Sequence, residues 1–218
     1  MKYGQTASTL WGPYYLASCA GNLDGIEVSV HSLPRPLERE FNHVFHERNL
    51  DLEKFRQDAD SKFLAIPTNQ HAREDLVATG SHIEQEKDRL LNLFFRVATE
   101  VTEKLRKMGY WADYIDPCSG LPMLTPNCNK VYSEVDGMEC CLGYKAHNAG
   151  FCKILTHPKW GSAVYPATMF CYAPPAVVIR LLEEYPRLED KWKSYDKLWQ
   201  QRIVLCFHIF FVICRFLA

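Results

Sequence analysis

Cysteines, histidines and closely spaced carboxylates are the residues here whose types and spacing bear on chemistry. The 218-residue chain carries nine Cys, an odd number with no C-x-x-C pair of pairs. Cys140 and Cys141 are adjacent, and Cys152 stands beside Lys153, whose charge favours a thiolate. A thiolate is a soft metal ligand; the plainer role for such a residue is a small buried side chain. Asp113 and Asp116 invite an acid–base reading. Three apart along an extended segment, they fall on opposite faces, which favours structural roles: Asp116 shaping a turn, Asp113 bonding a backbone group or a partner. His43, His46 and Glu47 share a helical face at zinc-like spacing, without an evident third and fourth ligand, so a solvated face is the simpler account. His157 precedes Pro158 and reads as a turn residue. No phosphate loop, nucleophile elbow, HExxH or GxGxxG is present, and no acid, base and nucleophile assemble, which weighs against hydrolase chemistry.

These residues need elements to position them. Residues 81–108 give the clearest helix, with Leu90, Leu91, Phe94, Val97, Ala98, Val101, Leu105 and Met108 on one apolar stripe. Ser81 and Glu84 have capping-box spacing, and Gly109 stands where a C′ glycine ends a helix. Residues 110–115 alternate as a strand with aromatic residues on both faces. Asp116, Pro117, Ser119 and Gly120 then make a turn. Further turns are expected at 126–127, 136–137 and 148–150 between short strands. Residues 26–31 read as a half-buried strand and 37–46 as a short amphipathic helix. Residues 63–67 read as an inner strand, and 163–170 as a last strand that Pro166 makes an edge or a bulge. Pro174 and Pro175 open a helix over 176–184. The mixture lacks βαβ regularity, so an α+β fold with a largely antiparallel sheet flanked by helices is expected.

Three segments follow. Residues 1–25 form an irregular arm, 26–185 the α+β domain, and 186–218 an atypical tail. The tail's last stretch, 203–218, is apolar but for His208 and Arg215, short for a spanning helix. It reads as a membrane anchor, as a buried or partner-bound helix, or as a foreign end such as a mispredicted exon, and none of these sets the function. Hydrophobic residues are 47% and charged residues 23%, a globular composition, and the net charge of −1 gives no footprint for nucleic acid. The start is no secretory leader, and the lack of Arg before Arg35 is unlike a mitochondrial presequence. Reduced thiols in a reducing compartment are therefore favoured over a disulfide framework.

Two runs carry a resemblance. Residues 109–120 read GYWADYIDPCSG, and downstream stand Leu142-Gly143-Tyr144, Gly150-x-Cys152-Lys153, His157 and Trp160-Gly161. They resemble the methylmalonic aciduria and homocystinuria type D (CblD) family of vitamin B12 trafficking proteins, whose signature is G-Y-W-A-D-aromatic-I-D-P-x-S-G. Every defined position is filled, including Gly109, Tyr110, Trp111, Asp113, Asp116, Pro117 and Gly120. The likeness extends more weakly over residues 26–182.

The resemblance implies a fold like the flavin nitroreductases and a non-catalytic adaptor that docks on the cobalamin-processing protein CblC. It implies a role in directing cobalamin to methionine synthase in the cytoplasm and to methylmalonyl-CoA mutase in the mitochondrion. The isolated protein is expected to hold no cofactor and to contact cobalamin through its partner. The family places two adjacent Cys after Gly150, with a thiolate there implicated as a cobalt ligand. In this chain Phe151 takes the first position, leaving Cys152 as the candidate and Cys140-Cys141 as a remoter substitute. Trp111 and Trp160 are expected as core or interface anchors. The rival reading is a flavin-dependent reductase of nitroreductase type; no compact basic cluster for its FMN phosphate is evident in the sequence.

Overall fold

The computed structural model describes residues 7–17, 25–45, 59–149 and 152–185. The expectations for His46, Glu47, residues 49–58, Gly150, Phe151 and the tail lie outside them. In chain order the elements are β1 (Ser8–Ala17), β2 (Gly25–Ser32), α1 (Arg35–Phe45), β3 (Lys62–His71), α2 (Ser81–Lys107), β4 (Trp111–Tyr114), α3 (Glu134–Leu142), β5 (Lys145–Ala149), β6 (Cys152–Thr156), β7 (Val164–Ala173) and α4 (Pro175–Glu183). Five strands make one sheet in the order β1-β2-β3-β7-β4, every neighbouring pair antiparallel. Strands β5 and β6 form a separate hairpin. The α+β expectation holds.

Side chains alternate along each strand, so the sheet has two faces. On one, Val28, Leu64, Ala112 and Met169 pack with Phe94, Val101 and Leu105 of α2 and Leu181 of α4. On the other, Phe63, Trp111 and Phe170 pack with Phe45 of α1 and Cys140 and Cys141 of α3. Phe63 stacks on Phe170 at 5.6 Å, and Phe45 meets Trp111 edge-on at 4.9 Å. This double cover explains why β2 is buried on every residue from Gly25 to His31 rather than half-buried as its alternation suggests.

Several expectations are corrected. The arm is not irregular over residues 8–17: β1 pairs along β2 with two register shifts around Trp11. Ser81 does not cap α2; Gly80 is the N-cap, with no side-chain cap bond, and Glu84 pairs with Lys87 at 2.9 Å instead. The stripe on α2 holds, except that Leu93 is buried in place of Leu91, while Met108 is 50% exposed. At the far end Gly109 (φ 89°) lets its own N–H reach Arg106 O and the Tyr110 N–H reach Leu105 O, a Schellman stop.

The expected turn at 136–137 lies inside α3. Ser133 Oγ accepts the Asp136 N–H at 3.3 Å, and Glu134 and Asp136 occupy the acidic first turn. Gly137 is there because the Tyr132 ring lies against it and a Cβ would overlap the hydroxyl. Pro166 sits in β7 opposite Asn69, where β4 no longer reaches, so that half of the strand has a ladder on one side only. No helix among the described residues is long and apolar enough to cross a membrane.

Candidate functional site

The 109–120 run leaves α2 through its Schellman stop and enters β4. Trp111 and Tyr114 point to opposite faces, as the alternation predicts. Asp113 is fully buried. Its Oδ1 accepts N–H bonds from Tyr114 (2.7 Å), Met123 (3.2 Å) and Leu124 (2.9 Å), and its Oδ2 one from Thr125 (2.7 Å). The carboxylate therefore organises the segment that follows the turn. Asp116 does the same at shorter range: it accepts from the backbone N–H groups of Cys118 and Ser119 and from Ser119 Oγ at 2.7 Å. Pro117 lies inside that Asp116-centred turn. Gly120 donates to Asp116 O at 2.7 Å and accepts from the Tyr132 N–H at 2.8 Å, joining the turn to the segment that leads into α3. Each carboxylate is occupied by backbone donors.

The downstream residues converge on a group that the sequence does not advertise, Glu27 of β2. Its Oε1 accepts from Tyr144 Oη at 2.9 Å, from His157 Nε2 at 3.2 Å and from Asn69 Nδ2 at 3.4 Å. His157 is buried, and its Nδ1 accepts the N–H groups of Lys159 (3.1 Å) and Trp160 (3.3 Å). That fixes Nε2 as the protonated nitrogen that donates to Glu27. Trp160 stacks on the His157 ring at 3.9 Å and on His71 at 5.0 Å, and Tyr144 meets His157 edge-on at 5.0 Å. Gly161 closes the turn by exchanging both backbone bonds with His157. Burial works against the charge on Glu27, but the bonds from His157, Tyr144 and Asn69 hold its carboxyl below the usual range. Burial, with Glu27 beside it, pushes the Tyr144 hydroxyl up, so it stays a donor.

Cys140 and Cys141 lie on the buried face of α3. Burial pushes the Cys140 thiol up to about 11, with Glu40 and Asp136 adding to it, and pushes Cys141 well above the ordinary thiol range. Both are packed in the core with Phe63 and Phe170 rather than set at the surface. Cys152 opens β6 opposite Ala149, beside the hairpin tip; its side chain lies outside the described residues. Lys153 next to it bonds Asp136 of α3 at 2.8 Å. Among the described residues, no three His, Cys, Asp or Glu gather as a metal site.

Glu134 is a further residue that sequence reasoning missed. Its Oε1 accepts the Thr168 N–H at 3.0 Å and its Oε2 meets Thr168 Oγ1 at 2.6 Å, while Ile115 N–H donates to Thr168 O. Together they replace a neighbouring strand on β7 just beyond the end of its ladder with β4. Burial pushes the Glu134 carboxyl up to about 8, against the opposing bonds from Thr168. It is therefore neutral in the fold at pH 7, where the unfolded chain carries it ionised, so Glu134→Gln, which takes up no proton on folding, is expected to raise the urea midpoint at pH 7. The same variant is expected to abolish the wild type's loss of stability as pH rises through about 8.

The comparisons with known proteins agree with this motif. The family described as methylmalonic aciduria and homocystinuria type D protein matches residues 14–181. The cobalamin trafficking protein CblD of Rattus norvegicus is 32% identical over 148 residues, covering 68% of this chain and 47% of that protein. CblD of Homo sapiens is 31% identical over 150 residues, covering 69% and 47%, and that of Gallus gallus 29% identical over 150 residues. The chain thus spans about half the length of the curated relatives it matches. With the family match running through β1 to α4 and the signature intact at residues 109–120, the chain belongs to the methylmalonic aciduria and homocystinuria type D protein family.

Proposed function

We propose that this protein is a non-catalytic adaptor of intracellular vitamin B12 metabolism. It docks on the cobalamin-processing protein CblC and directs the cofactor to methionine synthase in the cytoplasm and to methylmalonyl-CoA mutase in the mitochondrion. The observation that carries this reading is the family match over residues 14–181. The geometry of the motif supports it. Asp113, Asp116 and His157 are engaged by backbone groups and by Glu27, so they shape a surface rather than present a proton to a substrate. An antiparallel sheet with helices on both faces also fits the nitroreductase-like fold that the resemblance implies. Sharing that scaffold does not confer reductase chemistry, which depends on a site. Cys152, beside the hairpin tip, is the thiolate that reaches the cobalt, Phe151 having taken the family's first Cys position.

Capture of CblC by immobilised protein, with and without cobalamin, tests the docking. Association is expected, and a shift of the cobalamin visible spectrum that Cys152→Ser removes is expected with it. No capture in either condition, or a flavin that co-purifies tightly, overturns the reading.

A further inference from the structure

Tyr144 and His157 are the residues immediately outside the two ends of the hairpin: Tyr144 precedes β5 and His157 follows β6. Both donate to one atom, Glu27 Oε1. Inside them Lys145 pairs with Thr156, whose Oγ1 also donates to Lys145 O at 2.9 Å. Glu27 itself is held in the middle of the sheet, paired with Tyr15 on β1 and Asn69 on β3. The Trp160 ring covers the junction, stacked on His157 and within 5.7 Å of the Tyr15 ring. The hairpin also packs buried Leu155 of β6 with Met138 of α3 and Val164 of β7, and it meets α3 through the Lys153–Asp136 ion pair, whose partners are 41% and 25% exposed; water screens such a pair and leaves it weak.

We infer that Glu27 is the positioning residue for the β5–β6 hairpin, fixing at its root the direction in which position 152 is presented to a docked partner. A two-stranded hairpin is marginal by itself and takes its orientation from what it packs on. Here both strands are pinned to a single carboxylate oxygen in a buried, low-dielectric setting, where charge-assisted bonds are strong. Removing that oxygen strands the buried His157 and Asn69 donors and the half-buried Tyr144 hydroxyl, and frees both ends of the hairpin at once. The part played in presentation rests on the proposed function; the anchoring does not.

Hydrogen exchange on the free protein separates the two. Glu27→Ala is expected to speed exchange of the hairpin amides at least about tenfold while β3 and β7 stay within about twofold. Glu27→Gln keeps an acceptor oxygen at the same place and is expected to restore protection. Tyr144→Phe, which keeps the ring and removes one donor, is expected to give the same localised loosening in smaller measure, and serves if Glu27→Ala does not fold. An even rise across sheet and hairpin, or an unchanged hairpin, overturns the anchor. With cobalamin-loaded CblC, Glu27→Ala is expected to bind at least about fivefold more weakly and Glu27→Gln to recover. Equal binding by a variant whose hairpin has loosened overturns the presentation role. If the hairpin loosens but the wild type does not bind CblC, the anchor stands and the proposed function fails.

Discussion

Asp113→Ala is expected to lower the free energy of unfolding by about 3 kcal/mol, since stranding a buried donor such as Tyr114 N–H costs about 1–3 kcal/mol and the half-buried Leu124 and Thr125 donors add to it. The wild-type carboxylate accepts from Tyr114, Met123, Leu124 and Thr125, none of which has another side-chain acceptor in the turn. Met123 N–H retains Tyr114 O at 3.0 Å, so three donors carry most of the loss. Asp113→Asn keeps the oxygen that serves three of them but turns an amide N–H₂ toward Thr125, so about half the loss is expected. Urea unfolding checks both. An Ala variant within about 1 kcal/mol of wild type would show that water replaces these bonds freely. The expected loss exceeds that of most single substitutions, because one buried carboxylate holds several backbone donors of β4 and of the segment after the turn.

The second large effect is with pH. His31 is fully buried, with Nε2 at 2.8 Å from Ser29 Oγ and Nδ1 at 3.3 Å from Thr9 Oγ1, and burial pushes its pKa down from 6.5 to about 4. The unfolded chain therefore takes up this proton first as pH falls. His31's contribution is complete above about pH 6.5 and is lost progressively as pH drops toward 4, about 3 kcal/mol in all. Glu134 has the opposite sign. Its raised pKa makes its contribution full below the ordinary carboxyl value of 4.5 and lost as pH rises through about 8. Between pH 7 and 5 the two trends oppose, and the wild type shows a shallow profile. In the Glu134→Gln background the His31 trend stands alone: urea unfolding is expected to show about 2 kcal/mol less stability at pH 5 than at pH 7. Adding His31→Gln is expected to flatten that slope. A Glu134→Gln profile as shallow as the wild type would contradict the assignment.

Local patterns were legible and long-range ones were not. The α2 stripe, the Gly109 stop and the Asp116 turn follow from neighbouring residues and appear where the spacing places them. The helix at residues 134–142 was hidden by the Asp136-Gly137 pair, which reads as a turn unless Ser133 is recognised as a cap and Gly137 as clearance for Tyr132. Glu27 was missed for a different reason. In an alternating strand a Glu reads as the wet face, and its partners Tyr144 and His157 stand 117 and 130 positions away. Nothing within β2 announces them. The downstream motif residues were recognisable by type, but their convergence on one oxygen comes from the sheet order and from the two ends of the hairpin meeting at Glu27 of β2.

Sedimentation followed at the visible absorption band of cobalamin tests the central claim most directly, because only material travelling with the cofactor is seen. Cobalamin-loaded CblC is expected to sediment faster once this protein is added, saturating at a fixed ratio. A cobalamin boundary that does not move at any concentration of this protein would contradict the claim.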